Sequence, residues 1–241
     1  MKLGGVDLNP YSVRARLRPV LFIVLPVGFG IAAWYPAEIQ GLGWLIGAAV
    51  ACGVTFFSAE TAADVGRQKQ EALWTEWGGA PTTIHLRHRT SPLNSYTLVR
   101  YHEKLRSLRS ELEIPTPEEE AADTEAADVV YASCVDFLRE ATRNKSDFSM
   151  VFSDNVNYGY RRNLWALKAW GIATSMIGLA AAGGRIVRQW LASSSVTTTP
   201  LVCGGLSVIF LLLFTFVVRK AWVKQAGFSY AVRLLASLER L

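Results

Sequence analysis

Pro19-Val20-Leu21-Phe22-Ile23-Val24-Leu25-Pro26-Val27-Gly28-Phe29-Gly30-Ile31-Ala32-Ala33-Trp34-Tyr35 carries no charged residue, and basic Arg14, Arg16 and Arg18 stand directly before it. Crossing a hydrocarbon core of roughly 30 Å takes about 20 predominantly apolar residues in a helix. Lipid offers backbone amides and carbonyls no partner, so such a run must fold as a helix. A basic stretch followed by an apolar run also describes a secretion signal. This run is as long as a span and a second follows almost at once, so it reads as a retained helix.

Three more runs share this character, at residues 42–57, 164–182 and 201–218. Pro36-Ala37-Glu38-Ile39-Gln40-Gly41 leaves room only for a tight reversal, which makes the first two a hairpin. Gly183-Gly184 is expected to end the third helix, and residues 185–200, with the Ser/Thr run 193–199, close a second hairpin. The fold class is therefore an all-α membrane protein: four transmembrane helices in two hairpins, with a helical cytoplasmic domain inserted between spans two and three. The divisions are an N-terminal tail (1–18), hairpin one (19–58), the cytoplasmic domain (59–163), hairpin two (164–218) and a C-terminal helix (219–241).

Composition agrees. Hydrophobic residues make up 51% of 241 residues and the mean hydropathy is +0.21, with charge segregated into separate stretches. The net charge of +5 suits nucleic acid, anionic lipid or the arginine excess that orients membrane proteins. Lys2, Arg14, Arg16, Arg18, Arg67, Lys69, Arg161, Arg162, Arg219, Lys220 and Lys224 flank the spans on one side, against Arg185 and Arg188 on the other. Basic flanks face the cytoplasm, so the expectation is a multi-pass protein of the cell inner membrane with both termini inside. Cys52, Cys134 and Cys203 have no paired spacing, so no disulfide framework, metal site or other cofactor is implied. Pro26, Gly28 and Gly30 predict a kink or a close helix contact. Gly43/Gly47 and Gly171/Ser175 are small-xxx-small pairs, for packing within a hairpin or between subunits.

The middle segment is charged and helix-forming. Residues 60–77 read as the second span continuing outward as an amphipathic helix, with no Gly/Ser linker. Trp77-Gly78-Gly79-Ala80-Pro81-Thr82-Thr83 breaks it, and Ile84-His85-Leu86-Arg87-His88-Arg89 follows as a short basic strand or turn. Two readings stand: packed structure with solvated arginines, or an anion site of exposed amides, Thr82, Thr83, Arg87 and Arg89. It is not a P-loop, because the Gly-Lys-Ser/Thr ending is missing. A helix over 96–112 places His102, Arg106 and Arg109 in a basic stripe, either a solvated flank or a surface that meets phosphates. Thr116-Pro117-Glu118-Glu119 marks a capped helix start, with the helix running to about Arg143. Its carboxylates are explained by the positive helix end. Asn157, Tyr160, Arg161 and Arg162 crowd the entry to the third span, as a ligand-recognition group or an interface belt. Lys168 either snorkels or marks a water-filled path.

The Gly-Gly-Ala-Pro-Thr-Thr turn with Leu86-Arg87, then Leu138-Arg139-Glu140-Ala141-Thr142-Arg143, then Asn155-Val156-Asn157-Tyr158-Gly159-Tyr160-Arg161-Arg162-Asn163, resembles a bacterial family of four-span membrane proteins. In these residues the chain is similar to the membrane effector of the Hailong type of anti-phage defence system. The resemblance covers mainly the cytoplasmic segment and the entry to the third span. It implies a homo-oligomeric effector that binds a nucleotide-derived signal or short DNA, partners a nucleotidyltransferase and permeabilises the membrane.

The sequence thus favours a non-enzymatic gated channel or membrane-disrupting pore controlled at its basic cytoplasmic domain. The alternative is a non-conducting anchor or adaptor that recruits a soluble partner. His85, His88 and His102 are the only histidines, and no metal spacing or nucleophile elbow accompanies them, so an enzyme is not expected.

Overall fold

The computed structural model describes residues 2–3, 6–7, 11–35, 61–193 and 195–241. The expected second span and the reversal before it lie outside these residues. Apart from a two-residue antiparallel pairing of Lys2–Leu3 with Val6–Asp7, the described residues in regular structure are helical.

The chain divides into two compact units, Met1–Lys69 with Gly159–Val223, and Gln70–Tyr158 with Lys224–Leu241. In the first, α1 (Arg18–Trp34) is preceded by a π-helical turn at Ser12–Leu17. Helices 61–77 (α2, described part) and Ser149–Ala166 (α7) each contribute residues to both units. Helix α8 is Lys168–Ser193; α9 is Thr198–Leu212 and passes into a second π turn at Leu213–Val217. Among the described residues, three helical stretches are long and apolar enough to cross a membrane: Ser12–Trp34, Lys168–Ser193 and Thr198–Val217.

These three pack pairwise. The residues α8 buries are Gly171, Ser175, Gly178 and Ala182, a small-residue stripe at helical spacing. Pro26 has its carbonyl against Gly178, where an added Cβ would collide with backbone, and Gly30 sits 3.1 Å from the Ala181 Cβ by the same construction. The sequence-predicted Pro26/Gly30 contact and the Gly171 member of the small pair are thus used inside the bundle, with Gly171 against the Phe214 ring. Conversely, Leu25, Ile31, Trp170, Ile177, Leu191, Ile209 and Phe216 are exposed while Ser175 and Ser207 are fully buried. Small and hydroxyl residues inside with large apolar ones outside is the distribution of a bundle solvated by lipid.

The second unit is built on α3 (Pro81–Leu86), α4 (Ser95–Leu108), α5 (Pro117–Ala122), α6 (Thr124–Ala141) and the outer part of α10 (Lys220–Ala236), which ends in a tight turn of helix at Ser237–Arg240. Leu86, Leu105, Tyr131, Cys134, Leu138, Leu234, Leu235 and Leu238 form its core.

Four local expectations are corrected. Residues expected as a strand or turn form α3, because Pro81 at the first helical position starts a turn whose residues are all buried. The helix opening at Thr116 has its capping box but does not reach Arg143: Asp123 leaves the helical region and caps α6, accepting from the amides of Glu125 and Ala126. α4 ends at Leu108, short of Leu112. Gly183-Gly184 does not end α8, which continues to Ser193. Two helical glycines cost about 1 kcal/mol each, less than unpaired backbone in lipid would.

Candidate functional site

The basic residues around the Gly-Gly turn are tied into one network in the second unit. Gly78 and Gly79 hold φ of 85° and 139°, a region that favours glycine, and so turn the chain out of α2 into α3. Thr82 and Thr83 lie buried in α3. Arg87, only 6% exposed, donates through Nε and Nη2 to both Asp128 oxygens at 2.8 and 2.6 Å and through Nη1 to the Gly78 carbonyl at 2.6 Å. Arg89 donates to Glu120 at 2.7 Å and to Asp128 at 3.0 Å.

Glu120 is the centre of this network. Only 1% exposed, it accepts from the His88 amide (2.7 Å), the Arg89 amide (3.1 Å), the Arg89 guanidinium (2.7 Å) and the Tyr131 hydroxyl (2.6 Å). Burial pushes its carboxyl up, but these donors outweigh burial and hold it down at about 2. Burial, and after it the hydrogen bond to the same carboxylate, raises the Tyr131 phenol. His102 shares its Nε2 hydrogen bond with the Leu86 carbonyl at 2.8 Å, packs on His88 and Tyr131, and is lowered by burial to about 4, so it is neutral at pH 7. Arg106 donates to the Ile114 carbonyl, and Arg109 pairs with Glu111 beside the Phe137 ring.

Arg87 and Arg89, read as members of an open anion site, and His102, read as part of a separate basic stripe, each have an internal partner in the structure. The residues that sequence reasoning missed are the acceptors, Glu120 and Asp128, with Tyr131. In sequence Glu120 reads as one of the carboxylates that complement the positive end of the helix opening at Thr116. Among the described residues, no group of His, Cys, Asp and Glu is placed to hold a metal ion.

The second cluster belongs to the first unit, around a one-residue interruption of the helix at Leu167 between α7 and α8. Asn163, 1% exposed, donates through Nδ2 to the Ala15 carbonyl at 2.8 Å, within the first π turn. Lys168 donates to the Thr215 carbonyl at 3.1 Å, within the second π turn. Lys69 donates to the Ala166 carbonyl at 2.7 Å, at the interruption itself. A π turn interrupts the regular helical ladder and recurs at functional positions. Here each receives a side-chain donor from the joint. Arg161 donates to the Trp222 carbonyl and stacks on its ring at 4.8 Å, Tyr160 meets that ring edge-on, and Arg162 donates to Asn163. Asn157 is half-buried on the part of α7 in the second unit.

No family, curated relative or solved structure matches this chain. The reading of these two clusters therefore rests on their own chemistry.

Chemically, the first cluster is a charge lock. Its carboxylates are saturated with donors, and the side chains of Arg89 and Asp128, 31% and 30% exposed, open it to solvent. The second is a mechanical joint, where three helical segments meet through donors aimed at backbone carbonyls. Ile23, Leu164, Phe214 and Val218 form the apolar core of the same level.

Proposed function

We propose that the protein is a membrane effector whose pore or membrane-disrupting state is set at the Leu167 joint and controlled by the helical domain. The observation that carries this reading is the pair of π turns, at Ser12–Leu17 and Leu213–Val217, each held through a backbone carbonyl by Asn163 or Lys168. A π turn has one neighbouring alternative, the regular α-helix, reached by shifting register. An element with two packings is what a gate requires. The chain passes between the two units inside helices 61–77, Ser149–Ala166 and Lys220–Ala236. The three described spans pack through small residues, so conduction calls for several copies around an axis, a homo-oligomer.

The nucleotide-type or short DNA ligand implied by the resemblance is anionic. It would compete with Asp128 for Arg89 and Arg87, making the charge lock its receiver, and a neighbouring nucleotidyltransferase would be its source. Purified protein reconstituted in liposomes should pass ions, and Asn163→Ala or Lys168→Met should change the open fraction. Arg89→Gln should change ligand dependence without changing unitary conductance. Membranes that stay sealed under every ligand condition, with a soluble partner recovered on the domain, would replace this reading with the anchor or adaptor.

A further inference from the structure

At the far end of α8 from Lys168, two guanidiniums share one indole. Arg185 and Arg188, one turn apart on the helix, stand 5.6 and 5.5 Å from the Trp34 ring. Trp34 is fixed by its Nε1 bond to the Ala181 carbonyl at 2.8 Å, and its ring lies over Gly184, 3.7 Å from an ideal Cβ there.

Among the described residues the charge on this platform is uncompensated: neither arginine has an ion pair, and the buried Nε of Arg185 has no hydrogen-bond acceptor. Such a donor normally has a partner, because leaving it unmet costs about 1–3 kcal/mol. Depth is informative too. At 1.5 Å per residue, Arg185 and Arg188 lie about 26 and 30 Å along the helix from Lys168, close to the thickness of a hydrocarbon core. With Lys168 at one membrane surface, the two arginines reach headgroup level at the other, beside exposed Val187, Trp190 and Leu191.

The geometry points to a binding site for a phospholipid phosphate, formed by Arg185 and Arg188 on the Trp34 platform. Two planar guanidiniums held by one ring offer several N–H donors to one phosphate, and the Arg185 Nε–H gains the acceptor it lacks. The site explains why two arginines stand on the side that the positive-inside pattern leaves poor in basic residues. It would tie α1 to α8 through a lipid. This inference rests on the bundle lying in a bilayer.

The test is native mass spectrometry of the full chain released from detergent, titrated with phosphatidylglycerol and, separately, with inorganic phosphate. The wild type should retain phosphatidylglycerol, and R185Q/R188Q should bind it about tenfold more weakly, the equivalent of one charge-assisted hydrogen bond. R14Q, a change at an exposed arginine outside the site, should bind as the wild type does. If the double variant fails to fold, R188Q alone, on an exposed side chain, should still weaken retention. Unchanged retention in these variants overturns the site, and equal retention of inorganic phosphate overturns its assignment to lipid. Recovery of the chain without membrane or detergent would instead defeat the bilayer reading beneath it.

Discussion

Replacing Glu120 by Gln keeps the shape of the side chain and removes its charge. The native carboxylate accepts four hydrogen bonds, from the amides of His88 and Arg89, the Arg89 guanidinium and the Tyr131 hydroxyl. An amide offers one acceptor oxygen and turns an NH2 toward the remaining donors, so at least one donor goes unmet and the charge-assisted bonds become ordinary ones. Bonds to a charged group contribute about 1.5–3 kcal/mol against about 1 for neutral pairs, and an unmet buried donor adds a penalty of similar size. The expected loss is about 3 kcal/mol, near a hundredfold in the opening equilibrium. Hydrogen exchange followed by mass spectrometry reads this locally: the His88 and Arg89 amides should lose about a hundredfold of protection, while amides in α9 keep theirs. Protection at both amides within threefold of the wild type would refute the central place given to Glu120.

Three further outcomes follow from the same geometry. His102 titrates at about 4 in the folded domain against 6.5 ordinarily, so its contribution is complete above pH 6.5 and is lost as pH falls toward 4. Urea unfolding in mild detergent should register about 3 kcal/mol of loss across that window, absent in His102→Gln. Glu120, held at about 2 against 4.5, adds a second loss that begins only below pH 4.5. Gly178→Ala drives a methyl into the Pro26 carbonyl and should destabilise the detergent-solubilised bundle by about 1–3 kcal/mol. Gly183→Ala, with nothing within 4 Å, should raise stability by up to about 1 kcal/mol in the same thermal assay.

The apolar runs that contain Phe22, Ile177 and Ile209 were legible as spans because exclusion from water leaves an unbroken local signature. The Thr116/Glu119 capping box was equally legible, being written in four consecutive residues. The division at Asp123 is masked in the sequence by the good helix start just before it, although Asp-Thr-Glu is itself a helix-start signal. The charge lock was hidden for another reason: Glu120 meets His88 and Arg89 from 32 and 31 residues away, and no local pattern encodes that pairing. The π turns leave no periodic trace at all, and Asn163 looked like one polar residue in a polar stretch. Leu234, Leu235 and Leu238 fall in the stretch that reads only as a C-terminal helix, and no local pattern shows that they enter the core of the second unit.

Single cysteines placed at Glu140 and Ser195, in a chain whose native cysteines are replaced by serine or alanine, put the topology under direct test. With a membrane-impermeant maleimide added to intact spheroplasts, Ser195→Cys should label and Glu140→Cys should stay unlabelled, with the pattern reversed in inside-out vesicles. Labelling of Glu140→Cys from outside intact cells would contradict an inward-facing helical domain, and with it the account of a signal received inside and delivered to the spans.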